Sequence, residues 1–292
     1  MSEGCSLRKR RRKNLSRVFS SENSGKVPSS YDVVGCIAII RVPSASLERA
    51  QSMAEAIMNS RKSVKTVLAQ VSPVDGDFRL RRLRHVTGEN KTSTVHRESG
   101  CLFSVDVANC YFSPRLSYER LRVARLVKSS ETVVNMFAGV GCFSILIAKQ
   151  ANPVKVFSID VNPVAIEFMQ ENIRLNRVYG TVVPLLGDSK AVISSRLQGV
   201  ADRVLMPLPE KALEYLPAAV SALKPSGGWI HVHVFEHAAK TESPIEKVKL
   251  KLTEALASLS IDFEVPLIRV VRSTGPNWFH IVADVHLPPL TQ

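Results

Sequence analysis

The sequence predicts a doubly wound α/β domain preceded by a small α+β domain, and three observations predict it. Short apolar runs alternate with helical apolar spacing from Val133 to the C-terminus. A glycine turn, Ala138-Gly139-Val140-Gly141, joins the first of those runs to a helix, and the next run ends on an acid, Asp160. Ahead of them, residues 31–108 hold several strand-like runs around one helical pattern. Strand, glycine turn, helix, strand and terminal acid form the first half of a doubly wound nucleotide-binding sheet.

Taken in order, the chain opens on a polar segment, residues 1–29, in which Arg8 to Lys13 reads RKRRRK. Eight Lys or Arg stand there against Glu3 and Glu22, six of the thirteen excess positive charges of the 292-residue chain. Such a segment buries too little to fold alone. The expectation is a disordered basic tail that contacts phosphate or is merely solvated. A net charge of +13 points to a polyanionic partner, with nucleic acid the default.

Residues 30–108 read as the small domain. Val33 to Val42 predicts a strand with Gly35 as a bulge. Leu47 to Met58 predicts a helix, from Leu47, Ala50, Met53, Ala54, Ile57 and Met58. Further strands are predicted over Val64 to Val71, Phe78 to Val86 and Leu102 to Val107. In the run FRLRRLRHV a strand would place Arg79 and Arg81 on one face, Arg82 and Arg84 on the other. So much arginine is too costly to bury, so one face should meet solvent or phosphate.

Residues 109–128 read as a linker that opens a second domain, 109–292. Aromatics, Pro114 and alternating charge in YFSPRLSYER suggest a segment lining the cleft. Leu121, Ala124 and Leu126 are expected to face inward from the helix that follows.

In that second domain a helix is predicted after Asn162-Pro163 to about Asn176, with Pro in its first turn. Strands follow over Thr181 to Leu186, ending at Gly187-Asp188, and over Ala201 to Met206, ending at Pro207-Leu208-Pro209. A helix over Ala212 to Leu223, a strand over Trp229 to Phe235 and a helix over Ile245 to Leu259 come next. Two strands, Phe263 to Val271 and Trp278 to Val285, close the chain. Ligands bind outside the carboxyl ends of strands in open α/β sheets, and Gly139, Asp160, Asp188 and Pro207 to Pro209 fall at such ends.

The turn reads A-G-V-G, with Cys142 and Phe143 where a dinucleotide fingerprint carries its third glycine. A bulky helix entry leaves little room for a pyrophosphate and suits a nucleoside without phosphates. Adenosylmethionine is therefore the expected cofactor, against the alternative of a glycine turn in an ordinary βαβ unit.

No apolar run approaches the ~18 residues of a membrane span, and the basic N-terminus lacks a signal peptide's apolar core. Five cysteines show no C-x-x-C spacing, which argues against zinc and disulfide frameworks and for a reducing cytoplasm. His231 and His233 share a strand face and His237 lies nearby, but no further ligand has suitable spacing. An interior or cleft-rim histidine pair is expected and no metal.

Several motifs stand together in order: VSPVDGDFRLR, YFSPRLSYERLR, FAGVGCFSI, IDVNP, LLGDS and VRSTGPNW. With them the chain resembles the tRNA guanine-N1-methyltransferases of archaeal and eukaryotic type, from about Tyr31 to its end. The resemblance implies a class I adenosylmethionine-dependent methyltransferase domain preceded by a small RNA-binding domain. It implies methylation of guanosine 37, just 3′ of the anticodon, by a protein expected to act as a cytoplasmic monomer. It further implies that Phe137, Ala138, Gly139, Gly141, Asp160, Asn162 and Asp188 surround adenosylmethionine, Asp160 taking the ribose and Asp188 the adenine amino group. Tyr111 would lie beside the methyl donor and base, Arg79 would approach the guanine, and Glu119 would be the catalytic base. Arg115, Pro207 and Pro209 complete the expected substrate contacts.

Guanine N1 keeps its proton at neutral pH, so a carboxylate can serve as base. As that proton leaves, charge builds on O6, where an arginine donor stabilises it. Glu119 and Arg79 meet those two demands; the bland reading of Glu119 is a surface pair with Arg115 or Arg120. Met206-Pro207-Leu208-Pro209 departs from the family by placing Pro207 where an Asn contacts the base. Asn135 stands for the usual acid before Phe137, and a short basic tail takes the place of the additional N-terminal domain of many relatives. Two alternatives follow: aminocarboxypropyl or methyl transfer in the wybutosine pathway, whose enzymes share the scaffold, and a non-catalytic tRNA-binding protein.

Overall fold

The computed structural model describes residues 31–41, 47–153 and 155–289; the RKRRRK block lies outside them. The described residues divide into two compact units, those up to 96 with 105–114, and 97–104 with those from 115 onward.

In the first unit, β1 (Tyr31–Val34) and β2 (Ile37–Arg41) form an antiparallel hairpin with Val34 opposite Ile37. The single strand expected over this stretch is thus folded in two. Gly35 makes the turn at φ +53, and a Cβ there would stand 2.2 Å from Thr94 Oγ1. Helix α1 (Leu47–Ser60) then crosses to β3 (Thr66–Gln70), parallel to β2, and β4 (Leu83–Gly88) returns antiparallel. Ala50, Met53, Ala54 and Ile57 of α1 pack on Ala38, Ile40, Val67 and Ala69, as the spacing of its apolar residues predicts.

The run FRLRRLRHV is not one strand. Asp75 and Leu80 exchange backbone hydrogen bonds of 2.9 and 3.0 Å, closing a tight turn through Gly76 (φ +72) and Arg79 (φ +54). The strand starts only at Leu83, so the expected sharing of faces by Arg79 and Arg81 does not arise. A strand that the sequence reading missed, β5 (Ser93–Glu98), forms a two-stranded sheet with β6 (Cys101–Asp106) through Ser99 and Gly100, both at positive φ.

The second unit is built on a seven-stranded sheet. Its strands are β7 (Thr132–Asn135), β8 (Lys155–Asp160), β9 (Val182–Leu186), β10 (Arg203–Met206), β11 (Gly228–His237), β12 (Glu264–Gly275) and β13 (Trp278–Leu287). The order is β12-β13-β11-β10-β7-β8-β9, with β7 to β11 parallel and the β12–β13 hairpin antiparallel. Strand order reverses between β7 and β10, the switch point at which ligands bind in such sheets. The helices are α2 (Ser117–Leu126), α3 (Cys142–Ala151), α4 (Pro163–Asn176), a short α5 (Ser189–Val192), α6 (Ala212–Ala222) and α7 (Pro244–Ala257). Val134, Val204, Ile230 and Ile281 of the sheet are fully buried, with Leu216 of α6 and Leu252 of α7 in the same core.

Helix α2 does not present Leu121, Ala124 and Leu126 inward as a set. Its buried face is Glu119, Arg120, Val123 and Ala124, while Leu126 is exposed. Charged side chains occupy an interior face because each has a partner. The Arg120 guanidinium grips Glu98 with bonds of 2.7 and 2.5 Å.

Candidate functional site

The loop after β7 is shaped by Gly139 (φ +55) and Gly141 (φ +88), the latter capping α3. A Cβ on Gly141 would lie 2.8 Å from Met169 Cγ on α4, so close packing as well as backbone conformation requires glycine there. The loop hydrogen-bonds to the end of the neighbouring strand. Gly139 N–H donates to Asp160 Oδ2 at 2.6 Å, and Asn162 N–H donates to Oδ1 at 2.9 Å. Burial nonetheless carries the Asp160 carboxyl above its ordinary range, against those backbone N–H donors. Asn162 caps α4, its Oδ1 accepting from Val164 N–H at 3.0 Å, with Pro163 in the first turn. Asn135 and Ser158 both meet Ser144 behind the loop, a small polar cluster beneath the glycines.

Asp188 stands one strand further on, capping α5 through Lys190 N–H at 2.9 Å. Its other oxygen accepts the Tyr215 hydroxyl at 2.5 Å, and the Tyr215 ring meets Phe137 edge-on at 5.2 Å. Burial works to raise Asp188, but the Tyr215 hydroxyl and the backbone donors of Ala191 and Lys190 outweigh it and hold the carboxyl below its ordinary range. Gly139 and Asp160 are therefore linked directly, and Phe137 and Asp188 through Tyr215. The sequence reading did not single out Tyr215. It also missed Val161 and Leu186, exposed by 44% and 57% beside the two acids. Two acids with uncovered apolar residues beside them in the chain suit a nucleoside, whose flat base can cover apolar surface and whose hydroxyl and amino groups can meet carboxylates.

Glu119 lies in the same unit and is wholly buried. Arg122 donates to both of its oxygens, Nη2 to Oε1 at 2.7 Å and Nε to Oε2 at 3.1 Å. Arg122 also binds Asp284 on β13 at 2.6 and 2.8 Å, and Arg269 on β12 forms a second ion pair with Glu119. The surface pairing of Glu119 with Arg115 or Arg120 is replaced by this interior one. The network runs on through His231, whose Nδ1 is 2.6 Å from Asp284 and whose Nε2 is 2.7 Å from Arg203; Arg203 pairs in turn with Glu131. Burial, only partly opposed by Asp284, holds the His231 imidazole below its ordinary range. His233 turns to His280 at 2.9 Å. His231 and His233 thus both have protein partners.

The remaining expected residues divide between the units. Arg79 and Tyr111 belong to the first, where the guanidinium stacks over the phenol ring at 4.1 Å. Arg81 and Arg82 line an open groove of that unit with Ser72, Pro73, Asp75 and Leu83. Arg115 is exposed in a 3₁₀ turn of the second unit, Pro114–Leu116. Pro207 is half-buried and Pro209 buried just past the end of β10.

Strand order, glycine loop and paired acids define the second unit as a methyltransferase-type doubly wound domain. Residues 94–259 match the family model of the TRM5/TYW2 methyltransferase domain, and residues 11–92 match that of the TYW2 N-terminal domain. The chain belongs to the TRM5/TYW2 methyltransferase family. It is 41% identical over 258 residues to the tRNA (guanine(37)-N(1))-methyltransferase Trm5b of Pyrococcus abyssi, covering 88% of this chain and 74% of that protein. It is 36% identical to the tRNA 4-demethylwyosine(37)-methyltransferase Taw21 of Saccharolobus solfataricus, covering 87% and 92%. The crystal structure of Methanocaldococcus jannaschii TYW2 in complex with AdoMet superposes with a TM-score of 0.64 at 30% identity, covering 89% of this chain and all of that one.

Proposed function

We propose that the chain is an S-adenosylmethionine-dependent tRNA methyltransferase that methylates N1 of guanosine 37. Adenosylmethionine, when bound, supplies a methyl group carried on a positively charged sulfur. Asp160, aligned by Gly139 and Asn162, would accept the ribose hydroxyls. Asp188, aligned by Tyr215, would accept the adenine amino group, with Val161 and Leu186 against the ring and Phe137, Ala138 and Gly141 shaping the loop. Glu119 takes the N1 proton. Arg79 donates to O6 as charge gathers there, with Tyr111 stacked on its guanidinium, and Arg115, Pro207 and Pro209 serve as further substrate contacts.

The observation that carries this reading is the likeness to the guanosine-37 N1-methyltransferase Trm5b over 88% of the chain, and Glu119, held by Arg122 and Arg269, is the carboxylate proposed as its base. A reaction at guanine N1 needs a base held in place, whereas attack through a ring carbon needs none at N1. Methyl transfer to purified unmodified tRNA is expected to fall to background when guanosine 37 is replaced by adenosine, and equal transfer to both tRNAs would overturn the reading.

Pro207 favours a second reading. A proline donates no hydrogen bond, so it cannot replace the base contact of the family Asn, and residues 11–92 match a TYW2 rather than a TRM5 model. On that reading the acceptor is a wyosine-type derivative of guanosine 37, by methyl or aminocarboxypropyl transfer.

The chain is proposed to act as a monomer, which sedimentation of the purified protein tests. Five cysteines without C-x-x-C spacing support a cytoplasmic setting. Among the described residues no helix is long and apolar enough to cross a membrane.

A further inference from the structure

Tyr118 is the second residue of α2, next to Glu119, yet the two side chains point in different directions. Successive residues on a helix point about 100° apart. Glu119 enters the interior with its side chain fully covered, and Tyr118 stands 70% exposed. A basic side chain lies against the ring. The Arg269 guanidinium lies 5.3 Å from its centroid and also pairs with Glu119. An exposed phenol ring is therefore separated from the proposed base by a single guanidinium.

We infer that Tyr118 and Arg269 form a stacking site for an unpaired nucleobase adjacent to the target guanine. The inference rests on the proposed action on tRNA and adds a subsite to it. A ring with a planar cation at its face is the surface on which bases stack, because each base offers a π-face to the ring and to the guanidinium. The net charge of +13 and the exposed Arg115 three residues before Tyr118 suit a polyanion. An aliphatic side chain is a poorer occupant, since it would desolvate Arg269 without offering it a π-face. The occupant is a neighbour rather than the target, because Tyr118 points away from the carboxylate assigned to the target's N1.

The test uses the full chain and four tRNA transcripts: intact, abasic at the target, and abasic at the nucleotide on either side of it. Wild-type methyl transfer to intact tRNA is measured first, and its absence overturns the proposed function itself. Given that activity, Tyr118→Ala is expected to weaken binding of intact tRNA about tenfold with adenosylmethionine affinity unchanged, and Tyr118→Phe is expected to restore it to within about twofold. One of the two flanking abasic tRNAs should bind wild type about tenfold more weakly and bind Tyr118→Ala no worse than intact tRNA does. Unchanged tRNA affinity in Tyr118→Ala, failure of Phe to restore it, or losses that multiply for both flanking abasic tRNAs would each overturn the subsite. Dependence on the base at the target position alone would assign the ring to the target instead.

Discussion

The Tyr215 hydroxyl donates to Oδ2 of Asp188 at 2.5 Å, while Lys190 and Ala191 N–H groups hold Oδ1. The carboxylate assigned to the adenine amino group is thus oriented from two sides. Removing only the hydroxyl, with Tyr215→Phe, leaves the ring on Phe137 and frees one oxygen. A hydrogen bond to a charged group is worth about 1.5–3 kcal/mol. Adenosylmethionine affinity measured by calorimetry is expected to fall about tenfold, with the saturated rate nearly unchanged. Unaltered affinity would remove Tyr215 from the cofactor site.

Glu119→Gln keeps shape and burial but cannot take a proton. Loss of a general base costs about 10²–10⁴-fold in rate. Single-turnover methyl transfer should fall within that range while adenosylmethionine and tRNA affinities hold. A loss below tenfold would return Glu119 to a purely structural role.

Asp284 has two buried partners, Arg122 and His231. Burial acts to raise its carboxyl, but Arg122 and His231 outweigh it and hold it well below the ordinary carboxylate range. Removing one member of a buried pair costs about 3–5 kcal/mol, because the other is left uncompensated. Asp284→Ala is expected to lose stability on that scale in urea unfolding. It should also slow methyl transfer, since Arg122 then lacks its anchor. A stable variant with wild-type rate would contradict both.

Burial pushes the His233 imidazole down to about 3, against about 6.5 in an unfolded chain. Between those values the unfolded chain binds a proton that the folded one does not. Stability therefore falls as pH falls below about 6.5, by roughly 1.4 kcal/mol per pH unit for that group. His231 shifts in the same direction and adds to the slope. Urea unfolding of His233→Asn between about pH 5 and 6.5 should show a slope smaller by about one proton. An unchanged slope would show that His233 is protonated in the native protein.

The cofactor half was legible in the sequence because its signals are local. Val133 and Val134 before the glycine turn are buried on both faces, and Asn162-Pro163 is a cap and first-turn pair. Asp160 and Asp188 followed from lying at strand ends. Misreadings fell where a distant partner decides. Arg79 sits in a left-handed turn that Gly76 allows, and periodicity alone extended a strand through it. The buried face of α2 is charged, so an apolar criterion chose Leu126 over Glu119. Nothing near Glu119 in the chain announces Arg269, which pairs with it, or Asp284, which anchors its partner Arg122, until β12 and β13 are in the sheet. Val161 and Leu186 read as ordinary strand-end residues until their exposure beside two acids is seen.

The central claim is a methyl group on N1 of guanosine 37, placed there with Glu119 as base. Mass spectrometry of nucleosides from unmodified tRNA, after reaction with the purified chain and adenosylmethionine, tests it most directly. The account predicts 1-methylguanosine with wild type and its loss with Glu119→Gln. An aminocarboxypropyl nucleoside, a product only from tRNA already carrying a wyosine-type base, or no product from either tRNA would contradict it.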